Sequence, residues 1–584
     1  MVGRIFHSNP KRSNTGKRAG EKMGISISLL VSKAIPQEKW ETVYEEALAL
    51  AKKLDLACIK KREILGKTVY CLIPVEEEGE EGKTCWHVCS DLGTRESAEW
   101  YTTPKVLTTT PADNDPFDII IHRAMDGDII QDEVTKRVEK ESTHPRHLWG
   151  NKTQGHYYHI AMLSIGCLIQ DRLGNRAYVH GDINAGQCKR AVDMANKHLE
   201  KPIQIPCQAD LGRWIERVNS LPLPEIDRVR IAFDMFIGAK KTVFGETVRK
   251  VFSHECLMSY WENAFDGYDM NVVGYSSVLK SYLSMGFEIS DLCDIVSFTS
   301  SKGDDQHERF IRRIMDSKLH WEEKDCTDWM EHDPDDPALY GIETLLLRAF
   351  SFGVRNKKVD RYIPLEEIRQ ILVEKIPDFD VNKVIDDYIA GESTMEDKSA
   401  EMNRLINQAT EELDNRDNDY DISVAEYLSD YQAGKTMAPD VEELVREIME
   451  FWQDTILNEE NYKRIMAMPR EELLDWIAYQ SRYFPSMTAE EWQRVMESVD
   501  SGDINRYAGL FCIKRSSEDI AKTVSALVTN DSLYEYAKML CSGDPTLGNQ
   551  ESKGNQDNQG YQDNQDDQGN QYNQDNHVNQ GNQD

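Results

Sequence analysis

The chain has 584 residues and a formal net charge of −34, and 40% of its residues are hydrophobic. A chain of this length is too long for one hydrophobic core, so we expect more than one domain of roughly 100 to 200 residues. The acidity argues against general nucleic-acid binding and against attachment to a membrane surface, because a negative body repels phosphate groups at long range.

The two ends differ from the body in composition. Residues 1–23 have six basic side chains against one acidic one, which predicts a flexible basic extension. From Asn549 the chain reads in triplets, of which ten in twelve have Gln in second place. With Val578 as its only aliphatic residue, the segment 548–584 cannot bury enough surface to fold, so we predict a disordered tail.

Two further features concern the cellular location. No apolar run has the length of a signal-peptide core behind a basic start, or the roughly 20 residues that a bilayer crossing requires. The twelve cysteines are dispersed, which fits reduced thiols better than a disulfide framework. We therefore expect a cytoplasmic protein that does not bind membranes.

Strand-like and helical patterns alternate in the first part. Ile25 to Val31 predicts a strand, and the apolar spacing from Trp40 to Leu54 predicts an amphipathic helix. The runs 58–64 and 67–74, separated by Leu65 and Gly66, indicate a β-hairpin. The acidic stretch 76–81 is interpreted as a solvated loop.

The alternation resumes after His156. Helices are expected to about Arg172 and over 185–199, with strands at Tyr178 and at 203–205. Strands that alternate with helices of this length favour β-α-β units and a partly parallel sheet. The sequence SLPLP at 220–224 interrupts this pattern and indicates a boundary.

Beyond Glu225 the periodic segments are helical. Val441, Val445, Ile448 and Trp452 share one helical face, and Thr488 and Glu491 have the spacing of a capping box. The predicted fold is α+β overall: an N-terminal α/β domain with a small mixed sheet (24–219), an all-helical region (225–547) and the disordered tail. An internal boundary is expected near 322–340.

One candidate catalytic site lies between Tyr178 and Gln187, where a strand would end and a helix begin. His180 and Asp182 are residue types that serve as a general acid and base or hold a cation, and ligands bind at such strand ends in open α/β sheets. The structural alternative, which these residue types favour, is that Asp182 or Asn184 caps the helix, while Gly181 and Gly186 form the turn.

Other residues have the chemistry of transition-metal ligands. Two H-x-x-H pairs precede the candidate catalytic site, and imidazole and carboxylate together suit a divalent transition metal: His144, His147, His156 and His159. Cys85, His87 and Cys89 would share one face of a strand. We expect that alternate strand residues lie too far apart to form a zinc site, and we interpret these three as ordinary half-buried residues.

Residues 415–426 resemble an EF-hand calcium loop. Oxygen donors stand at its first, third and fifth positions, an apolar residue at the eighth and Glu at the twelfth. The resemblance implies a calcium site with these ligands: Asn415, Asp417, Asp419, Asp421 and Glu426. Tyr420 occupies the position of the usual glycine, and the alternative is an acidic loop whose own side chains cap the neighbouring helices.

Three functions follow from these features. The first is a non-enzymatic interaction or regulatory protein whose acidic helical surface binds a protein partner with a basic surface. The second is a metal-assisted hydrolase at 178–187, and the third is a calcium-responsive regulator at 415–426. The nucleophile-elbow, kinase and P-loop motifs are missing from the sequence. Their absence removes the recognisable enzyme classes and favours a protein that is not an enzyme.

Overall fold

The computed structural model describes residues 25–79, 83–107, 118–127, 129–130, 146–300, 303–322, 359–391, 428, 431–435, 437–481, 486–514 and 518–542. Helices and small sheets share the first half of this range, and helices occupy the second, so the predicted α+β class with a helical C-terminal region is confirmed. No helix of the described residues has both the length and the apolar character that a membrane crossing requires.

The strands belong to three small sheets with the orders β7-β1-β8, β3-β2-β5 and β4-β6. Their bounds are β1 (Ser26–Val31), β2 (Leu56–Ile64), β3 (Lys67–Pro74), β4 (Cys85–Val88), β5 (Ser90–Asp91), β6 (Tyr101–Pro104), β7 (Arg146–Lys152) and β8 (Ala177–Gly181). Each pair of hydrogen-bonded strands is antiparallel among the described residues. The mixed, partly parallel sheet that we expected is therefore wrong for these strands.

Connectivity explains this difference. A helix, α3 (Tyr158–Leu173), connects β7 to β8, as the predicted β-α-β unit requires. The two strands do run in the same direction, but β1 lies between them and pairs antiparallel with both. The sequence pattern identifies the crossover and gives no information about a strand from far upstream that separates its two ends.

The sheet with the order β7-β1-β8, called the central sheet below, has helices on both faces. Ile27, Leu29 and Val31 belong to one apolar cluster with α3 and with α1 (Gln37–Lys53). Leu30 and Tyr178 point the other way, into a cluster with α2 (Ile119–Asp126). The side chains of β1 alternate in direction, so a strand that is apolar on both faces must be covered on both.

The hairpin formed by β2 and β3 agrees with its prediction. Leu65 and Gly66 both have positive φ, 47° and 80°, which is the requirement of a type I′ turn. Ile64 pairs with Lys67 next to the turn, and the register continues to Ala57 and Pro74. The turn thus sets the pairing of eight residues on each strand.

Helices account for most of the remaining described residues. Two more accompany the sheets, α4 (Ala185–Asn196) and α5 (Leu211–Asn219). The first helical group comprises α6 (Glu225–Asp234), α7 (Thr242–Val251), α8 (His254–Asp266), α9 (Val273–Ser284), α10 (Ile289–Ile295), α11 (His307–Asp316), α12 (Leu365–Lys375) and α13 (381–391). The second comprises α14 (Pro439–Asp454), α15 (Glu460–Met466), α16 (Arg470–Ser481), α17 (Ala489–Ser498), α18 (Ile504–Cys512), α19 (Glu518–Thr529) and α20 (Asp531–Ser542).

The buried apolar residues form three clusters. One lies between the central sheet, α1, α3 and α4, one fills the first helical group, and one fills the second. Trp214 and Val218 of α5 pack in the apolar cluster of the first helical group, although α5 precedes the boundary that we expected at 220–224. Val69 and Cys71 of the hairpin pack in the apolar cluster of the second helical group.

The strand expected at 203–205 is wrong, because these residues have no regular secondary structure. Side chains satisfy the backbone there instead. Asn196 donates to the carbonyl of Ile203 at 3.0 Å and accepts from its amide at 2.8 Å, and Arg213 donates to the carbonyl of Ile205. A backbone satisfied in this way does not need a neighbouring strand.

Candidate functional site

Strand β4 and the segment that precedes it bring three side chains with metal-ligand chemistry together. Trp86 and Val88 are buried on one face of β4, which leaves Cys85 and His87 half-buried on the other face. Glu78 reaches this face through an isolated antiparallel bridge to Cys85. The amide of each of the two residues donates a hydrogen bond of 2.8 Å to the carbonyl of the other. Two chain segments therefore supply the cluster.

The distances within this cluster are close to those of a coordination shell. The imidazole Nε2 of His87 lies 3.4 Å from Sγ of Cys85 and 2.8 Å from Oε1 of Glu78, and all three atoms lie within 4.8 Å of one another. A tetrahedral zinc ion would separate its nitrogen and sulfur ligands by about 3.6 Å and its nitrogen and oxygen ligands by about 3.3 Å. The cluster needs only a small outward shift of Glu78 to match.

Neighbouring groups orient the two ligands that have a second polar atom. Nδ1 of His87 lies 2.8 Å from the hydroxyl of Thr102, which leaves Nε2 for a metal. Lys60 donates to Oε2 of Glu78 at 2.5 Å, so Oε1 is the oxygen that faces the imidazole. The ammonium group both fixes the carboxylate and opposes a cation beside it.

Burial sets the protonation of the two half-buried ligands. Desolvation, reinforced by Lys60, lowers the pKa of His87 despite the opposing carboxylate of Glu78, so the imidazole is neutral at pH 7 and able to coordinate. Desolvation and Glu78 raise the pKa of the Cys85 thiol, and Lys60 opposes this shift. A metal ion must therefore displace the thiol proton, and binding would weaken as the pH falls.

One side of the cluster is exposed. The ring of Trp100 lies 5.3 Å from that of His87 between centroids, and 43% of the Trp100 side chain is exposed. Three protein ligands would leave one position of a tetrahedral ion for water or for a ligand from outside. Such a site is able to polarise a bound water or to accept a side chain of a partner.

The sequence did not lead us to this cluster. Our expectation that Cys85 and His87 lie too far apart is wrong, because Sγ of Cys85 lies only 3.4 Å from Nε2 of His87. Cys89 does not join them, since it is buried and its amide bonds the carbonyl of Ala57. The third member, Glu78, lies in the acidic stretch that we interpreted as a solvated loop.

His180 and Asp182 have different surroundings. Oδ2 of Asp182 accepts hydrogen bonds from the amide and the hydroxyl of Ser26, at 2.9 and 2.8 Å. The ring of His180 stacks on Tyr178, with centroids 5.8 Å apart. Within the described part of the chain, no hydrogen bond or ion pair joins these two residues, and a catalytic role for them stays a prediction.

The upstream histidines divide between these surroundings. His147 and Arg123 add to burial in lowering the pKa of His180 to about 3, so they lie on its side of the sheet. Nδ1 of His159 lies 2.7 Å from the hydroxyl of Thr153. Burial lowers the pKa of His159, and the charge of Asp182 opposes this shift. The remaining two differ: His156 lies 3.2 Å from Glu96, whereas His144 is outside the described residues.

The turn after β8 has a structural explanation. Oδ1 of Asn184 accepts a hydrogen bond from the amide of Gln187 at 2.8 Å, and Oε1 of Gln187 accepts one from the amide of Asn184 at 3.1 Å, so the two residues form a capping box for α4. Gly181 has a φ of 131°, and a Cβ there would lie 2.5 Å from the carbonyl oxygen of Ser26. The polar residues and the glycine therefore serve the turn itself.

Comparison with known proteins gives no relative: no family model, curated protein or solved structure matches the chain. The EF-hand-like loop at 415–426 lies outside the described residues, and calcium binding there stays a prediction.

Proposed function

We propose that the chain binds one divalent transition-metal ion, with zinc the best fit, through Sγ of Cys85, Nε2 of His87 and Oε1 of Glu78. The convergence of these three ligand atoms, within 4.8 Å of one another, carries the proposal. A thiolate, an imidazole and a carboxylate are the ligand types of zinc sites, whereas calcium and magnesium prefer oxygen ligands alone.

The surroundings of the cluster support the proposal. Nε2 of His87 is oriented by the hydrogen bond of Nδ1 to Thr102, which is the usual arrangement behind a metal-bound histidine. Glu76 lies 3.8 Å from Lys60 and Glu78 lies 2.5 Å from it, so two carboxylates offset the ammonium group. The local charge therefore permits a dication.

Cobalt(II) titration of the purified chain tests the proposal, because thiolate-to-cobalt charge transfer reports a bound Cys85 directly. We expect one ion per chain, competition by zinc, and loss of the charge-transfer band in Cys85→Ser. Glu78→Gln and His87→Gln should each weaken binding by roughly 10- to 100-fold or more.

Cys256→Ser is the matched control, since Cys256 is also half-buried but lies on α8, outside the cluster. An unchanged band in Cys85→Ser, or equal losses in Cys85→Ser and Cys256→Ser, would contradict the assignment. Elemental analysis of the chain after dialysis gives an independent stoichiometry.

A second function, binding of a basic protein partner, is favoured by helix α14. Its exposed stripe consists of Glu443, Glu447 and Phe451 at successive intervals of four, and 46% of Phe451 is exposed. Carboxylates around an exposed aromatic ring attract lysine and arginine side chains through charge and cation-π contacts. No residue of the first helical group is part of this proposed binding surface.

Binding of an octa-arginine peptide provides the test. The double variant Glu447→Gln/Phe451→Ala should lower the affinity by about tenfold, and Val373→Ala on α12, which removes another exposed apolar side chain, should not. Equal affinity of the double variant and the unaltered chain would mean that the acidic body binds the peptide without a defined surface.

A further inference from the structure

A cleft of about 590 Å³ lies between α1 and the segment 198–201. One wall is a single face of α1, with Lys39, Val43, Glu46, Leu50 and Lys53 at helical spacing. These positions span about 21 Å along the helix axis. The volume is in the range of small-molecule sites, roughly 300 to 1,000 Å³.

Charge distinguishes this cleft from the rest of the chain. Lys39, Lys53 and Lys201 line it, and in the described part of the chain no carboxylate lies within ion-pair distance of their ammonium groups. Glu200 also lines the cleft, and its carboxylate makes no ion pair with a described residue. The cleft thus has a positive surplus in a protein whose net charge is −34.

An internal ion pair neutralises the one carboxylate at the centre of the cleft. Arg172 approaches Glu46 with two nitrogens, each 2.9 Å from a carboxylate oxygen. The guanidinium group also donates to the carbonyl of Lys201, and Lys53 donates to the carbonyl of His198 at 3.1 Å. These bonds connect α1, α3 and the segment 198–201 into one rigid frame.

The floor of the cleft is apolar. Ala49 is exposed in it, Val43 and Leu50 are buried beneath it, and Leu199 lies on the opposite wall. A ligand here meets hydrocarbon below and ammonium groups at the rim. This combination suits a molecule with a hydrocarbon body and an anionic head.

We propose that this cleft binds a small amphipathic anion, in which a phosphate or carboxylate group is attached to a short hydrocarbon body. The anionic group lies between Lys53 and Lys201, which approach it from the two walls. The hydrocarbon body packs against Ala49 and Leu199, which are the apolar lining residues that are not buried. Because the surrounding surface is acidic, the lysines select for a compact anion and against an extended polyanion, which the body would repel.

Isothermal titration with octyl phosphate tests this proposal, with 1-octanol as the uncharged reference. Octyl phosphate should bind at least about tenfold more tightly than octanol if the lysines contribute to recognition. The double variant Lys53→Gln/Lys201→Gln should reduce this preference about tenfold. Ala49→Trp, which places a large ring in the cleft without a change of charge, should abolish the binding of both compounds.

Lys52→Gln/Lys197→Gln is the matched control, because these two exposed lysines are direct or near neighbours in sequence of the lining lysines but do not line the cleft. We expect its affinity for octyl phosphate to stay within about twofold of the unaltered chain. Equal weakening in the two double variants, or equal binding of octanol and octyl phosphate, would overturn the proposal.

The same head-group chemistry occurs in free metabolites and in lipids, and a second arm separates the two sources. Vesicles of phosphatidylcholine with added phosphatidic acid are titrated in parallel. Binding of soluble octyl phosphate assigns the cleft to a free ligand, whereas binding to the vesicles alone, with the same dependence on Lys53 and Lys201, assigns it to a lipid head group. Binding in neither arm refutes the site.

Discussion

The indole Nε1 of Trp492 donates a hydrogen bond of 2.8 Å to the backbone carbonyl of Tyr70, and so joins helix α17 to the hairpin of the α/β part. The amide of Leu72 donates to the carbonyl of Met487, also at 2.8 Å, beside this contact. Trp492 is 1% exposed. The second helical group thus satisfies backbone groups along β3 that a further strand would otherwise satisfy.

We expect Trp492→Phe to lower the free energy of unfolding by about 1 kcal/mol, because the ring is retained and one hydrogen bond is lost. Trp492→Ala should cost about 3 to 5 kcal/mol, since a cavity replaces the ring. Guanidinium unfolding gives both values. The indole of Trp476 makes no hydrogen bond to a described residue, so Trp476→Phe should have a smaller effect than Trp492→Phe.

The ion pair between Arg95 and Glu491 should behave as a buried one. Their atoms are 2.7 Å apart and their side chains are 14% and 7% exposed. Glu491→Gln retains the capping box of α17 but leaves the Arg95 charge uncompensated, and we expect a loss of about 3 kcal/mol. The double variant with Arg95→Met should recover part of this loss.

A surface pair provides the comparison. Lys67 and Asp475 are 2.7 Å apart, but the Asp475 side chain is 70% exposed. Asp475→Asn should therefore change the stability by less than about 1 kcal/mol. If both pairs give the same small value, the contact between Arg95 and α17 is open to water.

Lys60→Met should increase the affinity of the Glu78, Cys85 and His87 cluster for cobalt(II) by about tenfold, because the variant removes a positive charge next to the ion. Metal titration by absorbance measures the change. Lys61→Met is the control, as its side chain belongs to the opposite face of β2. Weaker binding in Lys60→Met would mean that orientation of Glu78 matters more than repulsion.

Acid should destabilise the protein through His159. Burial lowers the pKa of this residue from 6.5 to about 4, and the nearby Asp182 opposes the shift. The unfolded chain therefore binds the proton first, so the stabilising contribution is complete above pH 6.5 and is lost as the pH falls towards 4. The slope reaches about 1.4 kcal/mol per pH unit.

We expect His159→Gln to flatten the pH dependence of the free energy of unfolding between pH 6.5 and 4. Urea unfolding at several pH values measures the slope. His254→Gln should retain the slope of the unaltered chain, because the His254 side chain is 68% exposed. Equal slopes in both variants would assign the acid sensitivity to other groups.

Two glycines should respond to alanine in opposite directions. A Cβ on Gly245 would lie 1.9 Å from the carbonyl oxygen of Met285, so Gly245→Ala should destabilise the first helical group by about 3 kcal/mol. The nearest atom to a Cβ on Gly212 is 3.6 Å away. Gly212→Ala should instead stabilise helix α5 by about 0.5 to 1 kcal/mol. Thermal unfolding distinguishes the two.

Local features of the fold were predictable from the sequence. The Leu65-Gly66 turn and the Thr488–Glu491 capping box depend on residues within a few positions of each other, and both are confirmed. Strand direction was not predictable in the same way. It depends on β1, which pairs with β7 and β8 more than a hundred positions away.

The candidate metal site depends on the same kind of long-range information. Cys85 and His87 are visible in the sequence as a pair, but Glu78 joins them only through a bridge that bends the acidic segment back onto β4. A run of glutamates has no periodicity that would single out one member. The ligand set therefore emerged from strand pairing and not from residue spacing.

The order of the central sheet also affects how the chain is made. Strand β1 is synthesised first, but β7 and β8, which flank it, follow about 115 and 150 residues later. At a translation rate of about 5 to 20 residues per second, β1 waits for its second neighbour for about 8 to 30 s. During that time Ile27, Leu29, Leu30 and Val31 lack both strands that pair with this segment, so we expect a nascent-chain chaperone to bind it.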